Sequence, residues 1–173
     1  TIAENQAALW ALVIVFGNDK FSHYIGLPYR SNQRFHGKRL ANRQDLALHF
    51  LYSIFLELTG EQHVAKKIGE YKELLDSNKG FSGFSFADLA ADYAGVEFAT
   101  RLTSDPQISN QILIRFVLME EYQESLIFPS IAGLPEGISQ KRFVHKYGDS
   151  TSITYKKLRQ KIDLRINQLY IYQ

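Results

Sequence analysis

GEYKELLDSNKGFSGFSFADLAADYAG, residues Gly69–Gly95, holds the end of one helix, a glycine–serine turn and the start of the next helix. Ser77 to Gly83 is turn chemistry. Ser85 followed three residues later by Asp88 is the S-x-x-D opening of a capping box, and the spacing predicts a helix from Phe86 to Arg101. Asp88 then has a complete structural explanation as the reciprocal cap. Asp92, one turn further on, has none. It lies between Leu89 and Ala94-Gly95, among small residues that let a neighbouring helix come close. That approach would half-bury the carboxylate, and a buried carboxylate needs a partner.

Outward on the N-terminal side, Glu61 to Leu75 carries Val64, Ile68, Tyr71 and Leu75 at helical spacing, with Glu73 and Asp76 close to its end. Acidic residues there oppose the helix dipole, so they call for another partner. The preceding helix, about Asn42 to Leu58, sets Leu46, Phe50 and Ile54, with Leu51 and Leu58, on overlapping apolar faces. Asp45, His49 and Ser53, four apart, share one stripe, and Thr59-Gly60 ends the helix. One imidazole and the carboxylates of Asp45, Glu73, Asp88 and Asp92 therefore sit on three successive helices.

The stretch RSNQRFHGKRLANR, Arg30 to Arg43, has no acidic residue and five Arg or Lys. It reads as a solvated loop in which Arg39 or Arg43 could hold an anionic group. It has neither the GxxxxGK of a P-loop nor the spaced aromatics of a base-stacking surface, which argues against nucleic acid. Before it, Ala3 to Phe16 predicts a first helix with Trp10 in the core, ended by Gly17-Asn18, a pair suited to a left-handed C-cap. The apolar run Ala7 to Gly17 is about half the length that spans a bilayer.

On the C-terminal side, Asp105-Pro106 opens a helix expected to reach about Ser125 and apolar enough to be central. Residues 126–139 form a long irregular connection, held to the body by Phe128, Ile131 and Leu134. Ser139 caps a short helix through Lys146. The last helix, Ser152 to Gln168, buries Ile153, Leu158, Ile162, Ile166 and Leu169 and turns Lys156, Lys157, Arg159 and Lys161 to water. Such a basic amphipathic face can also lie on an anionic membrane. His23, His63 and His145 read as surface residues, and His36 as part of the basic loop. The expected fold is all-α: one multi-helix domain over residues 1–173, of about six to seven helices.

Composition agrees with a packed chain: 13% of residues are aromatic and 22% charged. The absence of cysteine removes disulfides, thiolate ligands and cysteine nucleophiles, so any metal would need His and carboxylates. Net charge is only +2, yet Asp45 to Glu124 carries 13 acidic against 6 basic residues, which leaves the flanks basic. Such asymmetry suits an anionic partner, such as lipid headgroups or an acidic glycan, and is also common on inert surfaces.

DLALHFLYS, YKELLDS and SGFSFADLAADYAG resemble the YfiM-like family of small bacterial cell-envelope proteins, predicted lipoproteins. The matching positions are Asp45, His49, Phe50, Ser53, Lys72, Glu73, Asp76, Ser82, Gly83, Phe84, Ser85, Phe86, Asp88, Leu89, Ala90, Asp92, Ala94 and Gly95. The order of a His, a Glu and an Asp-Leu with a downstream Gly is similar, more loosely, to the membrane-embedded VanZ-like proteins. The first resemblance spans residues 45–95. It implies a bacterial envelope setting, periplasmic or membrane-associated after export, and a helical hairpin unit with a shared polar cluster. It brings no assigned reaction. The chain starts at Thr1 rather than Met, as a processed or trimmed chain does, and any export signal or lipidated cysteine would lie outside it.

Two functions fit these residues. In one, His49, Glu73, Asp88 and Asp92, with Asp45, Ser53, Lys72, Asp76 and Ser85 around them, form a buried hydrogen-bond network that fixes helix packing. In the other, the cluster is catalytic: Glu73 is a general base or ligand, His49 a ligand or acid, and Asp92 a ligand or orienting group. The target would then be a phosphoester or glycoside gripped by Arg39 or Arg43, with a divalent metal as the cofactor open to it. No HExxH signature is present.

Overall fold

Phe86–Thr103 is the most deeply buried helix, and the remaining elements are laid around it. The computed structural model describes residues 1–17, 19–27, 38–60 and 83–173. In chain order these comprise α1 (Ile2–Leu12), a π-helical turn (Val13–Gly17), a 3-10 helix (Asp19–Ile25), α2 (Gln44–Leu58), α3 (Phe86–Thr103) and α4 (Pro106–Val117). A 3-10 turn (Glu124–Leu126), α5 (Gln140–Tyr147), α6 (Ile153–Asn167) and a final 3-10 turn (Tyr170–Tyr172) follow. The architecture is all-α. Among the described residues there is no strand, only isolated bridges at Leu40–Arg43 and Phe84–Ile138. The expected helix Glu61–Leu75 lies outside the described residues, as do Lys72, Glu73 and Asp76 of the expected cluster, Ser82 of the YfiM-like pattern, and His36 and His63.

α3 owes its central place to side-chain size. Ala87, Ala90, Ala91, Ala94, Gly95 and Ala99 are buried together with Leu89, Tyr93, Val96 and Leu102, so neighbours can close on it from several sides. α2 packs closest. A Cβ built on Gly95 would collide with the carbonyl oxygen of Phe50 and come within 3.0 Å of Ser53 Cβ. Only glycine permits that separation.

The segment entering α3 is pinned by an aromatic cluster. Phe84 and Phe86, both fully buried, meet Phe143 and Tyr147 of α5 and Tyr155 of α6, with ring centroids 4.5 Å apart for Phe84–Phe143 and 5.1 Å for Phe86–Tyr147. Burying each such ring contributes about 1.5–3 kcal/mol. The long connection closes over this cluster. Phe84 N–H donates to Ile138 O (2.8 Å), Ile138 N–H donates back to Phe84 O (3.0 Å), and Phe86 N–H donates to Pro135 O (2.9 Å). Phe128 and Leu134 of the same connection are buried, and Ile131 packs against the core.

Four expectations change. Gly17 does not adopt the left-handed conformation; the helix widens into a π-turn instead, and that extra winding buries Val13 and Ile14. α4 stops at Val117, short of Ser125: Glu120, Glu121 and Glu124 would stand at a C-terminus whose dipole repels them. α4 is also not central. It buries Ser109 and Ile112 but leaves Ile114, Val117 and Leu118 exposed. In α6, Ile153 is 74% exposed and Tyr155, two residues further on, takes the buried place; Leu158 is half-buried, and Ile162, Ile166 and Leu169 are buried as expected.

Candidate functional site

α2 and α3 run parallel, and their polar residues meet rung by rung. Asp45, His49, Ser53 and Glu57 form one i, i+4 row on α2. On α3 the facing row includes Asp88, Asp92 and Thr100. His49 meets Asp92 and Glu57 meets Thr100 at the same sequence separation of 43 residues.

At the middle rung, His49 Nδ1–H donates to Asp92 Oδ1 (3.0 Å), the tautomer being assigned from the carboxylate opposite it. Ser53 Oγ–H donates to the same oxygen (3.0 Å). His49 Nε2 lies 3.6 Å from Asp88 Oδ2, within ion-pair range and beyond a hydrogen bond. The imidazole thus stands between two carboxylates of α3, with its own side chain 13% exposed. Asp92 Oδ2 is buried with no hydrogen-bond partner.

At the first rung, Arg43 gathers three carboxylates. It donates to Asp45 through Nη2 (2.6 Å) and Nε (3.1 Å), to Asp88 Oδ1 through Nη2 (3.1 Å), and to Glu136 through Nη1. Asp45 and Asp88 occupy the first turns of α2 and α3, so two carboxylates sit at two adjacent positive helix ends, tied by one guanidinium. Ser85 accepts from Asp88 N–H (3.1 Å), the forward half of the anticipated capping box. The Asp88 carboxylate, expected to complete that box, faces Arg43, His49 and the Ser85 hydroxyl.

Electrostatics differ along the array. Burial pushes the Asp88 carboxyl above its ordinary value, opposed by His49, the Ser85 hydroxyl and Arg43. Asp45 goes the other way, held below its ordinary value chiefly by its hydrogen bonds from Arg43. Arg43 is raised in turn, first by Asp45 and then by Glu136.

Of the residues anticipated from sequence, Asp45, His49, Ser53, Ser85, Asp88 and Asp92 converge. Lys72, Glu73 and Asp76 lie outside the described residues. Arg43, read as a grip for an external anion, is engaged by three carboxylates of the chain itself, and Arg39 donates to Asn42 Oδ1 (3.1 Å) on the surface. Glu57, Thr100 and Glu136 were not anticipated. Glu57 is buried, accepts from Thr100 Oγ1 (2.7 Å) and leaves Oε2 without a partner. The four-residue step from Asp45 to Ser53 carries straight on to it, which is the signal that could have found it. Glu136 had no such signal, being remote in sequence.

Among the described residues no group of three or more His, Asp or Glu side chains is disposed to hold a metal ion. No described helix is long and apolar enough to cross a membrane. No protein-family profile, no curated protein and no solved structure matches this chain.

Proposed function

We propose that this is a helical protein of the bacterial cell envelope in which the His49–Asp88–Asp92 array is a structural network clamping α2 to α3, leaving the surface for binding. The observation that carries the clamp is the place of His49 between two carboxylates of α3: Nδ1 hydrogen-bonds Asp92 Oδ1 (3.0 Å) and Nε2 lies 3.6 Å from Asp88 Oδ2. Arg43 is committed in the same way. The envelope setting rests on the YfiM-like pattern of residues 45–95. The test is chemical denaturation and thermal unfolding of wild type and His49→Ala, each with and without zinc, manganese and magnesium. The expected result is a loss of about 2 kcal/mol on substitution, from stranding two carboxylates, and no shift in Tm with any cation. A cation-dependent rise in Tm that His49→Ala abolishes would overturn the clamp.

One observation favours a second reading, hydrolysis of an anionic envelope phosphoester or glycan: among the described residues Asp92 Oδ2 is buried and unpartnered, beside an Asp88 carboxyl that burial raises above its ordinary value. In that reading Glu73 is the general base, His49 the acid and Asp92 the orienting group. The described residues alone do not present a metal-binding set, so its metal-dependent form rests on Glu73. Turnover of a phosphoester or glycan panel, lost together in Glu73→Gln and Asp92→Asn with folding retained, would establish it.

A further inference from the structure

A groove of about 350 Å³ lies between the turn Pro135–Ile138 and one face of α5. Arg142, His145 and Lys146, at i, i+3 and i+4, line it from the helix, and Ile138 and Tyr147 give it an apolar floor. Among the described residues none of the three basic side chains has a carboxylate partner. Glu136 also lines the groove and shares Arg43 with two other carboxylates, but Arg142 and Lys146 are two cations against this one carboxylate, so the groove is left positive.

Helix electrostatics account for only part of this arrangement. His145 and Lys146 stand in the last turn of α5, where positive charge complements the dipole. Arg142 stands in the first turn, where the same dipole opposes it, and no acidic residue accompanies it there. A cation held against the dipole and without a carboxylate is placed for an anion that comes from outside. The walls are fixed in advance as well. Ile138 is tied to Phe84 by two backbone hydrogen bonds, and Tyr147 is 3% exposed against Phe86 and Phe143. A preformed cleft of this size, part apolar with a few convergent polar groups, is the form that small-molecule sites take.

We propose that this groove binds a small hydroxylated organic anion, a sugar acid or sugar phosphate, with Arg142 and Lys146 on the anionic group, Glu136 and His145 on hydroxyls, and Ile138 and Tyr147 beneath the ring. The site is separate from the His49 array, so it stands or falls independently of the structural clamp.

Isothermal titration of the full chain with glucuronate, glucose 6-phosphate, glucose and inorganic phosphate tests it. Saturable binding is expected for one or both anionic sugars, weakened at least about tenfold in Arg142→Ala/Lys146→Ala, falling with added salt, and unchanged in the control Arg159→Ala on α6. Glucose and inorganic phosphate should each bind at least about tenfold more weakly than the better anionic sugar. A preference for glucuronate identifies carboxylate as the anionic group; a preference for glucose 6-phosphate identifies phosphate. Circular dichroism confirms that the exposed double variant is folded. No saturable binding of either anionic sugar, affinity unaffected by the double substitution, or inorganic phosphate binding as tightly as the sugar phosphate would each overturn the proposal.

Discussion

Glu57 and Asp92 each present one carboxylate oxygen to a hydrogen bond and, among the described residues, bury the other unpaired, two helical turns apart along one helix pair. The two differ in support. Asp92 Oδ1 receives both His49 and Ser53, whereas Glu57 has only the Thr100 hydroxyl. Thr100→Val should therefore leave the Glu57 carboxylate with no donor and cost about 1–3 kcal/mol. Replacing both partners by apolar groups of similar shape, Glu57→Met with Thr100→Val, should recover most of that loss, because the unmet group is gone from both sides. Urea denaturation of the two variants checks it. A double variant no more stable than the single would show that the rung contributes more than the pairing of two polar groups.

At the scale of elements, one hydrogen atom sets the spacing of α2 and α3. Gly95→Ala puts a methyl group against the Phe50 carbonyl and Ser53 Cβ, and neither can give way without moving backbone or the Asp92 rung. The expected loss is about 3 kcal/mol. Gly60→Ala, at φ +81° with none of the described residues within 4 Å of an added Cβ, should cost the strain of that conformation, about 1–2 kcal/mol. A thermal-melt comparison in which the two substitutions cost the same would contradict close packing as the role of Gly95. This contact shows what the chain made legible. Small residues beside Asp92 announced a close helix and a partner for the carboxylate, and Ser85 and Asp105 announced helix starts through local hydrogen bonds that the structure contains, whereas Ser139, expected to cap α5, makes no side-chain cap bond. Such signals are local. Which helix is central is a long-range property: α4 is strongly apolar in composition yet largely exposed, while α3, rich in alanine, is buried because small residues let others approach. Glu136 joins Arg43 from 93 residues away, through a connection whose course is set by bonding between Phe84 and Ile138, and no periodicity encodes that.

Over the whole molecule, the dependence of stability on pH separates the two carboxylates that Arg43 ties together. Asp45 has its folded value depressed, so its contribution is present above the ordinary value of 3.8 and is lost as pH falls through the folded value. Asp88 is raised from the same ordinary value by burial. The folded chain therefore holds the Asp88 proton more tightly than the unfolded chain does. Its contribution is fully present below 3.8 and declines as pH climbs through the raised folded value. Asp88→Asn removes this titration while leaving Asp45 paired with Arg43. Measured by urea denaturation at steps from about pH 3 to about pH 7, the stability of wild type relative to Asp88→Asn should be highest at the acid end, fall as pH rises through the folded value of Asp88, and level off above it. The opposite slope would mean that Arg43 and His49 outweigh desolvation and hold Asp88 ionised, making the array an ion-pair chain from Asp92 to Glu136. A flat difference would mean that burial of Asp88 is matched in the unfolded chain. The falling slope is expected because Arg43 already divides its charge among three carboxylates, and Asp88, the most buried of the three, receives only one of its hydrogen bonds.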